Sequence, residues 1–214
     1  MKLLPKAELQ PLDLLSFEIL RRGAEVLESD GHGEKILWLS DGTMLKLFRR
    51  KRMISSAAWS PYALRFADNC AALSQRGIPC PVIIAVYRVA EIARDAVHYH
   101  PLPGRTVRQL MVAGVDADTG RALRRQMGML VARLHRCGVY FRSLHLGNVV
   151  QTPDGELGLI DVADMSVRRW ALDALSRRRN FKHLLRYPAE GEWLMADGEF
   201  DAAYRAALSA PPPS

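Results

Sequence analysis

The chain has 214 residues, of which 49% are hydrophobic, so it can bury a sizeable core as one domain or one two-lobed unit and is not a disordered chain. Its formal net charge of +7 fits an anionic partner, which leaves nucleotide, phosphorylated sugar, nucleic acid and acidic membrane surface open. Three scattered cysteines and the lack of any long apolar run argue against a disulfide framework, a zinc site, a signal peptide and a membrane span, and they predict a cytoplasmic protein.

Residues 1–100 are predicted to form a small lobe that contains one sheet. A short lead-in helix is expected at 12–20, with Pro11 just ahead of it, where a helix start tolerates proline. Strand-forming segments separated by glycine turns predict five strands, at 24–28, 34–39, 43–48, 82–88 and 95–100. One helix is expected at 62–76, between the third and fourth strands.

Lys46 lies in the middle of the third predicted strand, among apolar residues. A charged group at such a position is costly unless it is paired, so Lys46 is a candidate for holding an anionic ligand. The alternative is a lysine on the exposed face of the strand. The turn between the first two strands contains Gly31 and Gly33, whose backbone could approach phosphates or could form an ordinary hairpin turn.

Residues 101–209 are predicted to form a mostly helical lobe, and 210–214 a loose tail. The clearest helix spans 118–137, where Asp118 or Thr119 can cap the start and Gly138 can end it. This helix carries one apolar stripe, formed by Leu123, Met127, Leu130, Val131 and Leu134. The stripe predicts packing in a core, and a last helix at 177–185 is expected to close the fold.

The most specific pattern begins at Ser143 and ends at Asp161. Asn148 follows Ser143 by five residues, and Asp161 follows Asn148 by thirteen. Segments 149–151 and 157–160 predict two strands joined by a turn at 152–156, and a hairpin of this length brings Asn148 and Asp161 close together. An amide oxygen and a carboxylate suit magnesium (Mg²⁺), which phosphoryl transfer from ATP requires beside the phosphates. Taken singly, Asn148 could instead be a turn residue and Asp161 a helix cap.

This stretch resembles the lipopolysaccharide kinase (Kdo kinase) superfamily and, within it, the bacterial toluene tolerance proteins. Members typically show H-x-D-L-H-x-G-N, followed by a strand that ends in I-D. The matching positions are Leu144, His145, Gly147, Asn148, Ile160 and Asp161. Phe141 stands at the first His of the pattern and Ser143 at its Asp. The resemblance covers about residues 24–187. It implies an α+β, bilobal protein-kinase-like fold, in which a small antiparallel five-stranded sheet with one helix precedes a mostly helical lobe.

The resemblance also implies a site for ATP and Mg²⁺ with residues from both lobes. Lys46, together with Gly31 and Gly33, would contact the phosphates, and Asn148 and Asp161 would hold Mg²⁺. The adenine would lie beside a third group of residues, Tyr99, His100 and Leu102. All of these residues are expected to converge on one cleft that is large enough for a triphosphate.

In kinases, the lysine of the small lobe pairs with a Glu of the following helix. Counting back from the turn at 77–79, which the family shares, places Phe66 where that Glu is expected. Asn69 shares a helical face with Phe66, and Asp68 lies beside it. Asn69 or Asp68 is therefore expected to replace the Glu as the polar partner of Lys46.

Ser143 changes the expected mechanism. A serine hydroxyl can orient a substrate hydroxyl, but at neutral pH it cannot accept the proton as a carboxylate would. Losing a general base lowers a rate by about 10²–10⁴-fold, or roughly 3–5.5 kcal/mol of barrier. Slow catalysis can persist at a site built from Ser143, Asn148 and Asp161, because positioning and the metal clamp carry most of phosphoryl-transfer catalysis. Asp164 could serve as the base if its loop folds toward the substrate.

Two functional hypotheses follow. The first is an ATP-dependent kinase of cell-envelope maintenance that acts on an anionic sugar or a lipopolysaccharide core, with Ser143 orienting the acceptor. The second is a pseudokinase, a nucleotide-binding scaffold or regulator, which Ser143, Phe66 and the lack of Gly after Asp161 favour. Nucleic-acid binding is not expected, because it rests on charge alone and the chain carries no recognition motif.

The basic runs at 49–52, 168–169 and 177–179 leave two interpretations open. They could bind an anionic substrate or lipid headgroups, which would bring the protein to the cytoplasmic face of the inner membrane. They could also be solvated faces of helices, as charge runs usually are.

Overall fold

The structure, a computed structural model, describes residues 6–50 and 61–210. The chain forms two compact units. The first consists of the described residues up to Gln75 together with Cys80–Leu102, and the second of Arg76–Pro79 together with the chain from Pro103 onward. The lobe limits at residues 1–100 and 101–209 stay a prediction, and all of the predicted tail except Ala210 lies outside the described residues.

In its described residues, the first unit is a six-stranded sheet with two helices. Its elements are β1 (Leu9–Pro11), α1 (Leu14–Leu20), β2 (Glu25–Asp30), β3 (Gly33–Trp38), β4 (Met44–Arg49), α2 (Tyr62–Ser74), β5 (Val82–Val89) and β6 (Arg94–His100). The strand order is β1-β5-β6-β4-β3-β2, and all neighbours are antiparallel except β1 and β5, which are parallel. The five predicted strands are confirmed, and β1 adds a sixth at the edge. It is three residues long, too short to show an alternating pattern.

Alternation along β4 sets the two faces of this sheet. Leu45 and Leu47 are buried in a core cluster that includes Phe17 of α1. Because successive side chains of a strand point to opposite faces, Lys46 and Phe48 lie on the other side. There the ring of Phe48 lies 6.2 Å, centroid to centroid, from that of Phe66 in α2. Lys46 therefore occupies the face of the sheet that α2 covers.

The second unit is mostly helical. Its helices are α3 (Val107–Ala113), α4 (Ala117–Arg136), α5 (Ala174–Leu184), α6 (Pro188–Met195) and α7 (Glu199–Ser209). Its strands are β7 (Arg105–Thr106), β8 (Val139–Phe141), β9 (Val149–Gln151), β10 (Leu157–Leu159) and β11 (Met165–Val167). The first small sheet has the order β10-β9-β7, and β11 pairs with β8. A sheet-bearing unit followed by a mostly helical one confirms the predicted α+β, protein-kinase-like fold. No helix in the described ranges is long and apolar enough to cross a membrane.

Helix α4 is confirmed, but its cap differs from the prediction. Asp116 is the N-cap, not Asp118 or Thr119, and its side chain accepts a hydrogen bond from Thr119 N at 2.9 Å. The oxygen of a capping side chain reaches the amide of the third helical residue, and from Asp116 that residue is Thr119. Gly138 follows the helix with a φ of 73°, as expected of a terminating glycine. The prediction that the helix at 177–185 closes the fold was wrong, because α6 and α7 follow it.

Helix α7 packs along α4 at very close range. A Cβ built on Gly128 of α4 would lie 2.4 Å from Phe200 O and 2.9 Å from Tyr204 N. Both of those atoms belong to the backbone of α7, which cannot move aside as a side chain can. Only a residue without a side chain therefore fits where the two helices cross.

A buried histidine joins three helices of the second unit. His135 of α4 is 1% exposed, and its ring nitrogens lie 2.9 Å from Tyr204 Oη and 3.1 Å from Asn180 Oδ1. Burial lowers the pKa of His135 to about 4, so the ring is neutral at pH 7. Asn180 also donates to Phe141 O at 2.6 Å. The network thus supports the end of β8, two residues before Ser143.

Candidate functional site

The loop that follows β8 holds Asn148 in a fixed orientation. Leu146–Asn148 forms a 3₁₀ turn, in which Asn148 N donates to His145 O at 2.9 Å. The side-chain nitrogen of Asn148 donates to Ser143 O, also at 2.9 Å. Because the amide nitrogen is engaged in this way, the amide oxygen is the group that Asn148 can offer to a cation.

The predicted hairpin is present and brings Asp161 next to this loop. Leu159 pairs with Val149 at the base of the hairpin, and Ile160 N donates to Asn148 O at 3.0 Å. Asp161 follows at once with a φ of 54°, and among the described residues Ala93 is the only other non-glycine residue with positive φ. Backbone strain of this kind costs about 1–3 kcal/mol and clusters at functional sites. Asp161 makes no side-chain capping bond to the turn after it, which weighs against the helix-cap interpretation.

A second carboxylate lies directly against Ser143. Val162–Asp164 forms a 3₁₀ turn, and the pairing of β11 with β8 brings the end of this turn beside the loop. Ser143 Oγ donates to Asp164 Oδ2 at 2.5 Å. The other oxygen, Asp164 Oδ1, is buried and has no hydrogen-bond partner among the described residues. An unsatisfied buried acceptor is uncommon and costly, so it marks a place for a proton donor or a cation.

Arg108 and Glu190 support the loop from outside, and the sequence analysis missed both. Glu190 of α6 is 4% exposed and accepts a hydrogen bond from Leu146 N at 2.9 Å through Oε2. Its Oε1 accepts from Arg108 Nε of α3. The two residues are 82 positions apart, and neither belongs to a local motif, so only the fold could reveal the pair.

His145 is part of the same support. Its Nδ1 accepts from Gly147 N at 3.1 Å and faces Arg108 Nη2 at 3.2 Å. Burial lowers the pKa of His145, and the charges of Arg108 and Arg186 add to that effect, against Glu190 and Asp161. Two donors at Nδ1 require an unprotonated nitrogen there, which agrees with a neutral ring near pH 7.

Replacing Glu190 with Gln is expected to destabilise the second unit. Gln keeps an acceptor for Leu146 N but removes the charge that faces Arg108, so the free energy of unfolding should fall by about 1.5–3 kcal/mol. Urea unfolding followed by circular dichroism measures this loss. The matched control is Glu192→Gln on the same helix, where the side chain is exposed and a change within about 0.5 kcal/mol is expected. Equal stability of the two variants would show that Glu190 does not hold the loop.

In the first unit, Lys46 lies over aromatic rings. Its Nζ is 5.7 Å from the ring centroid of Phe48 and 5.8 Å from that of Phe66. Phe66 is 1% exposed, so a buried ring occupies the position where the family pattern places a Glu. Asp68 Oδ1 accepts a hydrogen bond from Ala7 N at 3.0 Å, a role that the sequence did not suggest. The pairing of Lys46 with Asn69 or Asp68 stays a prediction.

The remaining candidates also lie in the first unit. Gly33 has a φ of 107° in the hairpin turn after β2, and a Cβ on Gly31 would meet no atom within 4 Å. Tyr99 is buried, with its ring 5.5 Å from that of Phe66, whereas His100 at the end of β6 is exposed and Leu102 is half-buried. Contact of these residues with phosphates or adenine stays a prediction.

Of the predicted site residues, the structure brings together those of the second unit, Ser143, Asn148 and Asp161, and it adds Asp164. Their convergence with Lys46 stays a prediction. The described residues contain no group of three or more His, Cys, Asp or Glu side chains that could hold a metal. The oxygen donors that could hold a metal near the loop are the Asn148 amide and the Asp161 carboxylate. Such a set fits Mg²⁺, which prefers few protein oxygens and takes the rest from phosphates and water.

Comparison with known proteins identifies a family for this chain. A model of the phosphotransferase enzyme family (APH) matches residues 38–213, a range that runs beyond residue 187 and includes α6 and α7. No curated protein matches the chain. A similar solved structure, described as a co-crystal structure of WbdD and kinase inhibitor LY294002, is 17% identical with a TM-score of 0.47. That similarity covers 84% of this chain and 43% of the other, so the chain spans less than half the length of that protein.

Proposed function

Because the chain belongs to the phosphotransferase enzyme family, we propose that it transfers a phosphoryl group from ATP to an alcohol, with Asp164 accepting the proton through Ser143. The observation that carries this proposal is the hydrogen bond from Ser143 Oγ to Asp164 Oδ2. The family pattern has a carboxylate at position 143. In this chain the hydroxyl of Ser143 stands there, and it is hydrogen-bonded to the carboxylate of Asp164. Ser143 alone would lack a base, and Ser143 backed by Asp164 has one.

In this mechanism the hydroxyl oxygen of the acceptor forms a bond to the γ-phosphorus of ATP, and the bond from that phosphorus to the leaving oxygen of ADP breaks. The acceptor proton passes to Ser143 Oγ while the hydroxyl proton of Ser143 passes to Asp164 Oδ2. Ser143 therefore orients the acceptor and relays its proton. Asp164 ends the step protonated and returns to the carboxylate by losing that proton to water.

The nucleotide is assigned to the predicted residues. Lys46 would hold the phosphates, with the turn of Gly31 and Gly33 near them, and the adenine would lie against Tyr99, His100 and Leu102. Mg²⁺, held by Asn148 and Asp161, would neutralise charge on the transferred group. The amide orientation of Asn148 and the backbone of Asp161 support their part of this assignment.

We assign the acceptor to the chemistry of the lipopolysaccharide kinase family, which the segment Leu144–Asn148 and the pair Ile160 and Asp161 resemble. The acceptor would be an anionic sugar or lipopolysaccharide core, and the protein would act in cell-envelope maintenance. Its place would be the cytoplasm, with contact to the anionic inner membrane through its arginines. Arg142 directly precedes Ser143, and Arg186 Nη2 donates to Arg142 O at 2.6 Å.

A pseudokinase is the second candidate function, and one observation favours it. Phe66 fills the place of the helix Glu with a buried ring, and this ring and that of Phe48 lie beside Lys46 Nζ. A protein with this lysine environment could bind nucleotide as a scaffold or regulator without transferring phosphate. Nucleotide binding is common to both candidates, and phosphoryl transfer separates them.

The first test is binding of ATP to the full chain by isothermal titration calorimetry, with and without Mg²⁺. We expect Mg-ATP to bind, and at about 100 times its dissociation constant to stabilise the protein against unfolding by about 2.7 kcal/mol. Lys46→Ala and Asp161→Asn should both weaken binding, because each removes one of the charges assigned to the nucleotide or its metal. Asp154→Asn in the exposed hairpin turn is the matched control and should bind as the wild type does.

Absence of any heat or thermal shift with the wild-type protein would overturn both candidate functions. Transfer of labelled phosphate from ATP to purified lipopolysaccharide core oligosaccharide then distinguishes them. Transfer supports the kinase, whereas binding without transfer to any alcohol acceptor supports the scaffold.

A further inference from the structure

A cavity of about 770 Å³ lies in the second unit, and none of its lining residues belongs to the Ser143 loop. Its floor is apolar and includes Met129 and Leu130 of α4, Leu157 of β10 and Pro79. Met129 is 53% exposed, and covering this large apolar side chain with a ligand would remove apolar surface from water. The volume is in the range of about 300–1,000 Å³ that holds small-molecule ligands. The cavity is thus large enough, and apolar enough, for a hydrocarbon group.

Positive charge surrounds this apolar floor. Three guanidinium groups line the cavity, those of Arg76, Arg133 and Arg136, against one carboxylate, that of Glu156. Each is positioned by a hydrogen bond to a backbone carbonyl: Arg76 Nε to Cys137 O at 3.3 Å, Arg133 Nη2 to Arg76 O at 2.6 Å and Arg136 Nη1 to Ala207 O at 2.9 Å. The bond from Arg133 to a carbonyl positions its guanidinium without neutralising its charge.

Among these three arginines, Arg133 is the clearest candidate for binding an anion. It is exposed, and it forms no ion pair with any residue in the described ranges, unlike Arg121, Arg124 and Arg125 of the same helix. Gln126, which lines the same cavity, has a buried Oε1 without a hydrogen-bond partner among the described residues. The cavity therefore combines an apolar floor, a cation with remaining donors and an acceptor that a water molecule can satisfy.

We propose that this cavity binds an anionic amphiphile, a single hydrocarbon chain that ends in a carboxylate or phosphate. The chain would lie on Met129, Leu130 and Leu157, and the acidic head would pair with Arg133. A purely apolar ligand would leave the charge of Arg133 unpaired, and a small anion would leave the apolar floor exposed to water. This site goes beyond the proposed phosphoryl transfer and does not depend on it.

The cavity also touches the hairpin that carries the candidate metal ligands. Gly155, Glu156 and Leu157 line it, and they belong to the same hairpin that begins after Asn148 and ends before Asp161. An occupant would thus contact the far end of the hairpin whose near end forms the candidate site. Binding can nevertheless be measured directly, without reference to activity.

The test uses decanoate as the probe and titrates it into the full-length protein at a concentration below that at which it forms micelles. We expect saturable binding by calorimetry, with octanoate about tenfold weaker for its two missing methylenes. Decanol, which has the same chain without the charge, should bind the wild-type protein about tenfold more weakly than decanoate does. Decanoate should also bind the Arg133→Gln variant about tenfold more weakly than it binds the wild type. Each change removes a charge-assisted hydrogen bond. Arg121→Gln is the matched control on the same helix and should leave decanoate binding unchanged.

A second variant guards against misfolding as the cause of lost binding. Met129→Asp changes a half-exposed side chain, so it should fold with an unchanged circular dichroism spectrum and lose decanoate binding through charge repulsion. Sedimentation with phosphatidylglycerol vesicles identifies the source of the anion. Vesicle binding that Arg133→Gln abolishes points to a bilayer lipid, and binding of decanoate alone points to a soluble acyl anion. No binding of decanoate, equal binding of decanoate and decanol, or full binding by Arg133→Gln would overturn the proposal.

Discussion

Asp164→Asn is expected to lower the rate of phosphoryl transfer by about 10²–10⁴-fold, the usual contribution of a general base. Asn is nearly isosteric with Asp and can still accept the hydrogen bond from Ser143 Oγ, so the loop should keep its shape. It cannot take up the proton, because an amide oxygen is far less basic than a carboxylate. Transfer of labelled phosphate to core oligosaccharide measures the rate, and calorimetry with Mg-ATP should show that nucleotide binding persists.

The control for this prediction moves the carboxylate from position 164 to position 143. Ser143→Asp alone should not raise the rate, because two carboxylates at hydrogen-bonding distance share one proton and the base is partly lost. The double variant Ser143→Asp with Asp164→Asn restores a single carboxylate at the position that the family pattern uses, and it should recover most of the lost rate. A wild-type rate in Asp164→Asn would rule out Asp164 as the proton acceptor, and the role of Ser143 would then be limited to orienting the substrate.

Gly128→Ala is expected to destabilise the second unit by about 1–3 kcal/mol, although alanine is the better helix former. The added Cβ would lie 2.4 Å from Phe200 O and 2.9 Å from Tyr204 N, so α7 must move away from α4 or the helix must bend. Thermal unfolding should show a melting temperature lowered by about 2–4 °C for each kcal/mol in a chain of this size.

Gly120→Ala is the matched control, since Gly120 lies two turns earlier on α4. The atoms nearest to its Cβ would belong to the guanidinium of Arg124, at 3.3 Å, and the end of a side chain can shift by a few tenths of an ångström where backbone cannot. Here the helix propensity of alanine should dominate and leave stability unchanged or raise it by up to about 1 kcal/mol. The two substitutions are chemically identical, so an equal effect at both positions would show that the crossing of α4 and α7 is not tightly packed.

Local patterns predicted the parts of the site that lie close together in the chain. The hairpin from Asn148 to Asp161 was predictable because its turn chemistry and its two short strands are contiguous, and Leu159 pairs with Val149 as that pattern requires. Helix α4 was predictable from a stripe at helical spacing. The sixth strand β1 was not, because three residues carry no period, and neither were α6 and α7, which extend beyond the pattern that suggested the family.

The support of the loop could not have been found in the sequence. Glu190 is bound by Leu146 N, 44 positions away, and by Arg108 Nε, 82 positions away. Such contacts depend on where α3 and α6 pack against the 3₁₀ turn of the loop. When only its neighbours in the chain are known, a Glu that is buried in the fold cannot be distinguished from a Glu on an exposed helix face.

Amino-acid order and spacing alone were enough to predict the class of fold and the proximity of Ser143, Asn148 and Asp161, because that proximity rests on contacts between nearby positions. The chain also indicated that a base was missing, since position 143 carries a hydroxyl where related chains carry a carboxylate. That Asp164 lies against this hydroxyl required the folded protein. The strands β8 and β11 pair across more than twenty residues, and hydrogen bonds between distant backbone segments leave no local pattern from which to predict them.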